Sequence, residues 1–135
     1  MSKSPQQNLI SGHVIEMEAE SEIFPARTVT AGTSPGQVAA TSAITDLVQG
    51  VSLNYAAAGE RVQIQTDGIA EVECSAGVAY KAQVMPTASG AGKCSTAAGG
   101  TAKSFGQALG ASTSNDGERQ MVRLATPNVN GPANT

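Results

Sequence analysis

The chain has 135 residues, a formal net charge of minus 3 and a pI near 5.0, with its eight Lys and Arg scattered rather than gathered into a stripe. That distribution excludes a nucleic-acid backbone as the expected partner, and no apolar run approaches the roughly 20 residues of a membrane-crossing helix. Leu, Ile, Val and Phe together make up only 24 residues, so the core must be thin, while the low net charge and clear strand patterns argue for an ordered domain that leans on partners.

Residues 1–12 read as a polar, flexible arm without a signal-peptide hydrophobic region, which predicts a soluble protein not secreted by that route. His13 to Glu20 then alternates, with Ile15, Met17 and Ala19 on one face and Val14, Glu16, Glu18 and Glu20 on the other, the signature of a half-buried strand. Ile23 to Thr30 can continue extended past Pro25, and Thr33 to Gly36 marks a turn. Thr41 to Leu47 is Ala- and Thr-containing and can form a helical turn. Val48 to Leu53 and Arg61 to Thr66 form a predicted hairpin, and Asp67 and Gly68 turn the chain into an alternating strand from Ile69 to Cys74. Further strands are expected at Ala79 to Met85, Phe105 to Leu109 and Arg119 to Ala125, with turns at Ser89 to Gly92 and Asn115 to Gly117. Residues 127–135 read as a flexible tail.

An internal repeat organises these elements. Gly50, Val51, Ser52, Leu53, a loop and Gly59, Glu60, Arg61 recur as Gly106, Gln107, Ala108, Leu109, a loop and Gly117, Glu118, Arg119. Upstream, Gly36/Gly92, Ala26/Ala82 and Thr45/Thr101 keep one spacing, and downstream Ile64 matches Val122 or, with a bulge, Leu124. The expected fold is therefore all-β, a small antiparallel barrel or sandwich with little helix. It is a single β domain over 13–126 built from two pseudo-repeated units, about 23–68 and 79–125, around a pseudo-twofold axis. Gly50, Gly59, Gly68, Gly106 and Gly117 are the expected turn and strand-boundary residues, with positive φ as the reason for glycine.

No catalytic or cofactor-binding pattern survives inspection. His13 is the chain's one histidine, and neither Cys74 nor Cys94 belongs to a close metal-ligand motif, so no metal site is expected. The nucleophile-elbow pattern is absent. Ser89 to Ser95 fails as a phosphate loop, because Thr87 stands where the first glycine is required and Cys94 where the hydroxyl residue is required. Cys74 and Cys94 can pair in principle, but two cysteines are no disulfide framework, and free thiols are the preferred reading. Glu16, Glu18, Glu20 and Glu22 form either a solvated face that discourages edge pairing or an acidic docking stripe.

The whole cadence resembles the small capsid decoration, or cement, proteins of tailed bacteriophages. It runs as a glycine and short apolar strand, an Ala-rich loop, a Gly-Glu pair, an alternating strand and a glycine turn, seen here in Gly50, Val51, Leu53, Ala56 to Ala58, Gly59, Glu60, Val62, Ile64, Gly68 and Ile69. The resemblance covers about residues 23 to 125. It implies a non-enzymatic virion protein, made in the bacterial host cytoplasm, that assembles as a homotrimer on the outer capsid surface and bridges major capsid protein subunits, without cofactors, nucleic acid or membrane. On that reading Gln6, Gln7 and Asn8 of the arm, with Glu16, Glu18 and Glu20, are the candidate capsid contacts. Two alternatives stay open: a minor tail or fibre-base component, and a carbohydrate-binding β domain. The second is disfavoured by an aromatic inventory of Phe24, Tyr55, Tyr80 and Phe105 with no Trp.

Overall fold

The computed structural model describes residues 12–87, 91–97 and 104–125. The described residues form no helix. Their strands are β1 (Val14–Ala19), β2 (Thr28–Ala31), β3 (Gln37–Ala40), β4 (Gly50–Ser52), β5 (Arg61–Gln65), β6 (Ile69–Glu73), β7 (Gln83–Pro86), β8 (Cys94–Thr96), β9 (Gly106–Ala108) and β10 (Arg119–Leu124). The first five close into a barrel in the order β1-β3-β2-β4-β5, with β5 antiparallel to β1 and β1 parallel to β3. The last five form a sheet in the order β6-β10-β9-β7-β8, and the isolated parallel bridge between Cys74 and Cys94 joins its two edge strands. The all-β expectation holds, and the barrel replaces the sandwich alternative in the first unit.

Both units thus share one strand order, and their loop hydrogen bonds fix which residues correspond. Ala19 N–H donates to Glu60 O and Cys74 N–H to Glu118 O; Gly59 N–H donates to Ala19 O and Gly117 N–H to Cys74 O. Leu53 N–H donates to Gln63 O and Leu109 N–H to Met121 O, which makes Ile64 the counterpart of Val122 and not of Leu124. The counterpart of Ala26 is Lys81, not Ala82: Ala26 N–H donates to Ser52 O and Lys81 N–H to Ala108 O, and both residues take positive φ, 63° and 75°. The register shifts because the connection spanned by the Thr87 N–H to Lys93 O bond is one residue longer than that spanned by Gly32 N–H to Gln37 O. Thr101 lies outside the described residues. The matched units begin at β1 and β6, upstream of the sequence-based boundaries.

Two strands were not foreseen, β3 and β8. Both are short and built from small or polar residues (Gln37, Val38, Ala39, Ala40; Cys94, Ser95, Thr96), so neither carries an alternation long enough to read. The stretch expected as a helical turn is instead a β-turn closed by Asp46 N–H donating to Ala43 O at 3.1 Å, with the Asp46 carboxylate reaching back to accept from the N–H groups of Ser42 (2.7 Å) and Ala43 (3.0 Å). The strand expected to run through Pro25 breaks there, and β2 starts only at Thr28.

The two units are joined in tandem rather than about a twofold axis. Glu73 N–H donates to Ala26 O at 2.8 Å, but the reciprocal bond does not form: Glu18, the counterpart of Glu73, donates to Gly36 O at 3.1 Å. Different faces of the two units therefore meet. Their junction holds Arg27, whose guanidinium reaches Glu73 Oε2 (3.4 Å) and Ala91 O (3.1 Å), and Lys93, whose Nζ lies 3.5 Å from the same Glu73 oxygen and 3.0 Å from Asp116 Oδ1. The first unit's core is Ala19, Ile23, Val29, Val38, Ala56, Val62 and Ile64. The second is built around Phe105, Val72, Val78, Val84 and Val122, and it also takes in Val48 and Val51 from the first unit. Phe105 is the counterpart of half-buried Gln49, since their N–H groups donate to Val84 O and Val29 O respectively. The first barrel accordingly keeps a cleft lined by Ile15, Met17, Val38 and Gln49.

The two buried glutamines are answered inside the fold, whereas Arg27 Nε at the junction is buried without a hydrogen-bond partner. Gln120, 1% exposed, donates through Nε2 to Val78 O and Ala111 O, both at 3.1 Å, and accepts through Oε1 from the N–H groups of Gly110 and Met121. Gln65, its fellow buried glutamine, donates to Asp67 O and Ile69 O and so ties the end of β5 to the start of β6. Neither side chain leaves a desolvated donor unpaired, which is the condition for burying it at all.

The repeat glycines divide by physical role. Gly59, Gly68 and Gly117 have φ of 86°, 82° and 93°, as turns of this kind require. Gly50 and Gly106 do not; they are strand residues on which a side chain would collide with the neighbouring strand. A Cβ on Gly50 would sit 2.5 Å from Gln65 O and against Ile64, and one on Gly106 would sit 2.6 Å from Val122 Cγ1 and against Arg123 O. Substitution of Gly50 or Gly106 by Ala is therefore expected to destabilise the fold by about 2–4 kcal/mol through overpacking. Gly59→Ala, with open space around the new methyl, is expected to cost only about 1 kcal/mol, from its backbone conformation. Urea unfolding of the three variants, compared at constant m, checks the order.

Candidate functional site

The described residues hold no group of three or more His, Cys, Asp or Glu side chains able to bind a metal. His13 is exposed at the start of β1, where its N–H donates to Asp67 Oδ1 at 2.6 Å. In the Ser89 to Ser95 segment, Ala91 and Gly92 form a turn with φ of 49° and 92°, and Cys94 and Ser95 belong to β8. Ser89 and Gly90 lie outside the described residues.

Glu16 and, just past β1, Glu20 are exposed and Glu18 is half-buried, with Ala19 buried and Met17 packed against the core; Ile15, expected on the same buried face, is instead 39% exposed at the mouth of the cleft. The glutamates do not form one uncommitted stripe. Glu16 is exposed and lies 3.5 Å from Arg61, a pair whose two ends are more than half exposed and which holds neither side chain firmly. Glu18 accepts a bond from Gln37 Nε2 at 3.3 Å on the neighbouring strand. Glu20 accepts from both Thr33 N–H and Thr33 Oγ1 at 2.8 Å and so staples the β2–β3 turn; these bonds to the charged form lower its pKa below the ordinary glutamate value. Gln6, Gln7 and Asn8 lie outside the described residues.

A second surface is apolar. Phe24 and Tyr55 are 44% and 47% exposed, with ring centroids 5.5 Å apart at 53°, and the Arg27 guanidinium carbon lies 5.3 Å from the centre of the Phe24 ring. Tyr55 OH donates to Glu22 Oε2 at 2.7 Å, which raises the Tyr55 pKa, the carboxylate favouring the protonated phenol. Beside this pair, Pro25, Leu53 and Val14 line a groove that crosses from the first unit to Ala70, Glu71 and Arg119 of the second. Ser52 fixes the approach: its hydroxyl donates to Phe24 O at 2.6 Å and accepts from Arg27 N–H at 3.1 Å, holding the positive-φ bend at Ala26. The sequence shows Tyr55 and Phe24 as two of four aromatics and gives no sign of their pairing. The two sit in separate loops with no shared period, and only the bridge between Ile23 and Ala56 brings them together.

The scan against family models matches none, and the search of curated proteins finds no match. The class the geometry defines is a tandem of two five-stranded β units with a common strand order and a shared core. Among solved structures, the chain is similar to the N base of the head fiber protein gp8.5 of bacteriophage phi29, with a TM-score of 0.68 and 11% sequence identity. The match covers 87% of this chain and 98% of that one, so the similarity is to that whole base and not to one barrel.

The depressed Glu20 pKa gives a pH prediction with a definite sign. A carboxylate whose folded pKa lies below its unfolded value stabilises the fold fully above the unfolded value near 4.5, and that contribution fades as pH falls through the lower folded pKa. The Tm difference between the natural chain and Glu20→Gln is expected to be present at pH 7 and to shrink toward zero on acidification below pH ~4. A difference that persists unchanged at low pH would remove the charged staple as its cause.

Proposed function

We propose that this chain is a non-enzymatic structural protein of a phage particle that sits on the outer head surface, as a lattice-wide decoration protein or as the base of a head fibre. The observation that carries this reading is the fold similarity to a head fiber base over nearly that chain's full length, joined to the decoration-protein cadence of the sequence. The expectation that it is no enzyme belongs to the same proposal. Its localisation is the virion, and its proposed partner is the major capsid protein. A homotrimer remains part of the proposal, because closed threefold assembly would present three identical docking faces at once.

The physical mode of docking follows from what the fold leaves open. Barrel closure satisfies the edges of the first unit, so strand addition at an edge is not the available mode there. Side chains are. The Phe24–Tyr55 pair with Leu53 supplies rigid apolar area of the kind that dominates interface energies, and Glu16 and the arm at residues 1–12 are the proposed polar and charged contacts. Binding only the mature shell stabilises that shell by mass action, about 2.7 kcal/mol per site when the free protein is at 100 times its Kd, and the effect accumulates over a lattice.

Quantitative mass spectrometry of purified particles tests the reading. A copy number near that of the major capsid protein supports decoration, a small fixed subset of copies supports a fibre base, and absence from particles overturns both. In reassembly on stripped particles, Phe24→Ala with Tyr55→Ala is expected to lower occupancy at limiting protein by roughly tenfold or more, with little loss of Tm. Glu16→Gln should weaken binding chiefly at low salt. Removal of residues 1–12 should lower occupancy as well, and unchanged occupancy in any one of these three experiments would remove that surface from the interface.

A further inference from the structure

We propose that Cys74 and Cys94 form an intramolecular disulfide under oxidising conditions and thereby close the second β unit covalently at the seam that the first unit closes by strand pairing. The chain has two cysteines, and they occupy the two facing positions of a single bridge. Their Sγ atoms lie 3.7 Å apart with both residues fully buried, so a modest side-chain adjustment reaches bonding distance without either sulfur leaving the core.

The comparison between units shows why the seam is the place for such a bond. In the first barrel β1 and β3 run parallel and pair at Glu18–Gln37 and Ala19–Val38. Cys74 is the counterpart of Ala19, and Cys94 is the counterpart of Val38, because Glu20 N–H donates to Val38 O and Ser75 N–H donates to Cys94 O. Among the described residues the second unit has one bridge there. Ala and Val fill the same positions in the first unit, so packing alone does not call for sulfur. The seam with the fewest pairings carries the two residues able to cross-link it.

The chemistry balances with a low-molecular-weight disulfide as oxidant. The two thiols share a hydrogen bond in which either sulfur can donate; the Cys94 thiol beside it favours the Cys74 thiolate, which lowers the Cys74 pKa and raises that of Cys94, making Cys74 the first to ionise. Its thiolate attacks the reagent disulfide during a transient opening of the seam, forming a mixed disulfide and releasing one reagent thiol. The Cys94 sulfur, after losing its proton, then displaces the second reagent thiol and forms the Cys74–Cys94 bond. Two electrons pass from the protein to the reagent, and the two protons leave on the released thiols. The closed loop, with its ends 20 residues apart, restricts the unfolded chain and so favours the folded one.

The test uses the full chain, reduced and then freed of reductant, and incubated with oxidised glutathione. Intact mass should fall by two hydrogen masses without a glutathione adduct, a non-reducing digest should link the peptides containing Cys74 and Cys94, and Tm should rise by on the order of 5–15 °C, reversibly with reductant. A double variant, Cys74→Ala with Cys94→Val, copies the first barrel's residues. It should fold and show no Tm response to the oxidant. Retention of both free thiols, a stable glutathione adduct, a disulfide-linked dimer, or an oxidant-induced Tm rise in the double variant would each overturn the proposal.

Discussion

The rest of the fold depends on β4, a three-residue strand buried along its whole length because it serves both units. Gly50 lets it approach β5 closely enough to complete the first barrel, and Val51 packs into the core of the second unit. Ser52 holds the Pro25–Ala26 bend from which the exposed Phe24 projects. A strand this short contributes little hydrogen bonding of its own. Its weight lies in being desolvated on both faces, the usual condition of a central strand and here reached with three small residues.

That sharing explains how so lean a chain is ordered. Small domains bury a modest fraction of their surface, and two separate units with these apolar inventories would each be marginal. Placing Val48 and Val51 of the first unit in the second unit's core lets one set of side chains serve where two would be needed. The polar junction supports the same contact: Glu73 faces both Arg27 and Lys93, so the carboxylate's burial is matched by two cations.

The divergence between units sets what each of them exposes. Where the second unit has Phe105 and Tyr80, the first has Gln49 and Pro25. The first unit accordingly carries the looser interior, and beside Pro25 it carries the exposed Phe24–Tyr55 pair at a groove reaching into the second unit. The closed barrel thus presents exposed aromatic side chains on loops held by a rigid scaffold.

The sequence by itself determined the strand character, the hairpins and the repeat from Gly50 to Gly59 and Gly106 to Gly117, because alternation and glycine turns are local and survive without tertiary context. It also placed Glu16, Glu18 and Glu20 outward. Only the tertiary structure decided that Gly50 and Gly106 are glycines for close approach rather than for turning, since the obstacle in each case is the main chain of a distant strand. It alone revealed β3 and β8, whose pairing partners, not their composition, make them strands. The tandem join, the meeting of Phe24 with Tyr55 and the facing of Cys74 and Cys94 belong to the same class. Each depends on register between segments far apart in the chain, and nothing in a strand's own residues encodes which neighbour it will lie beside.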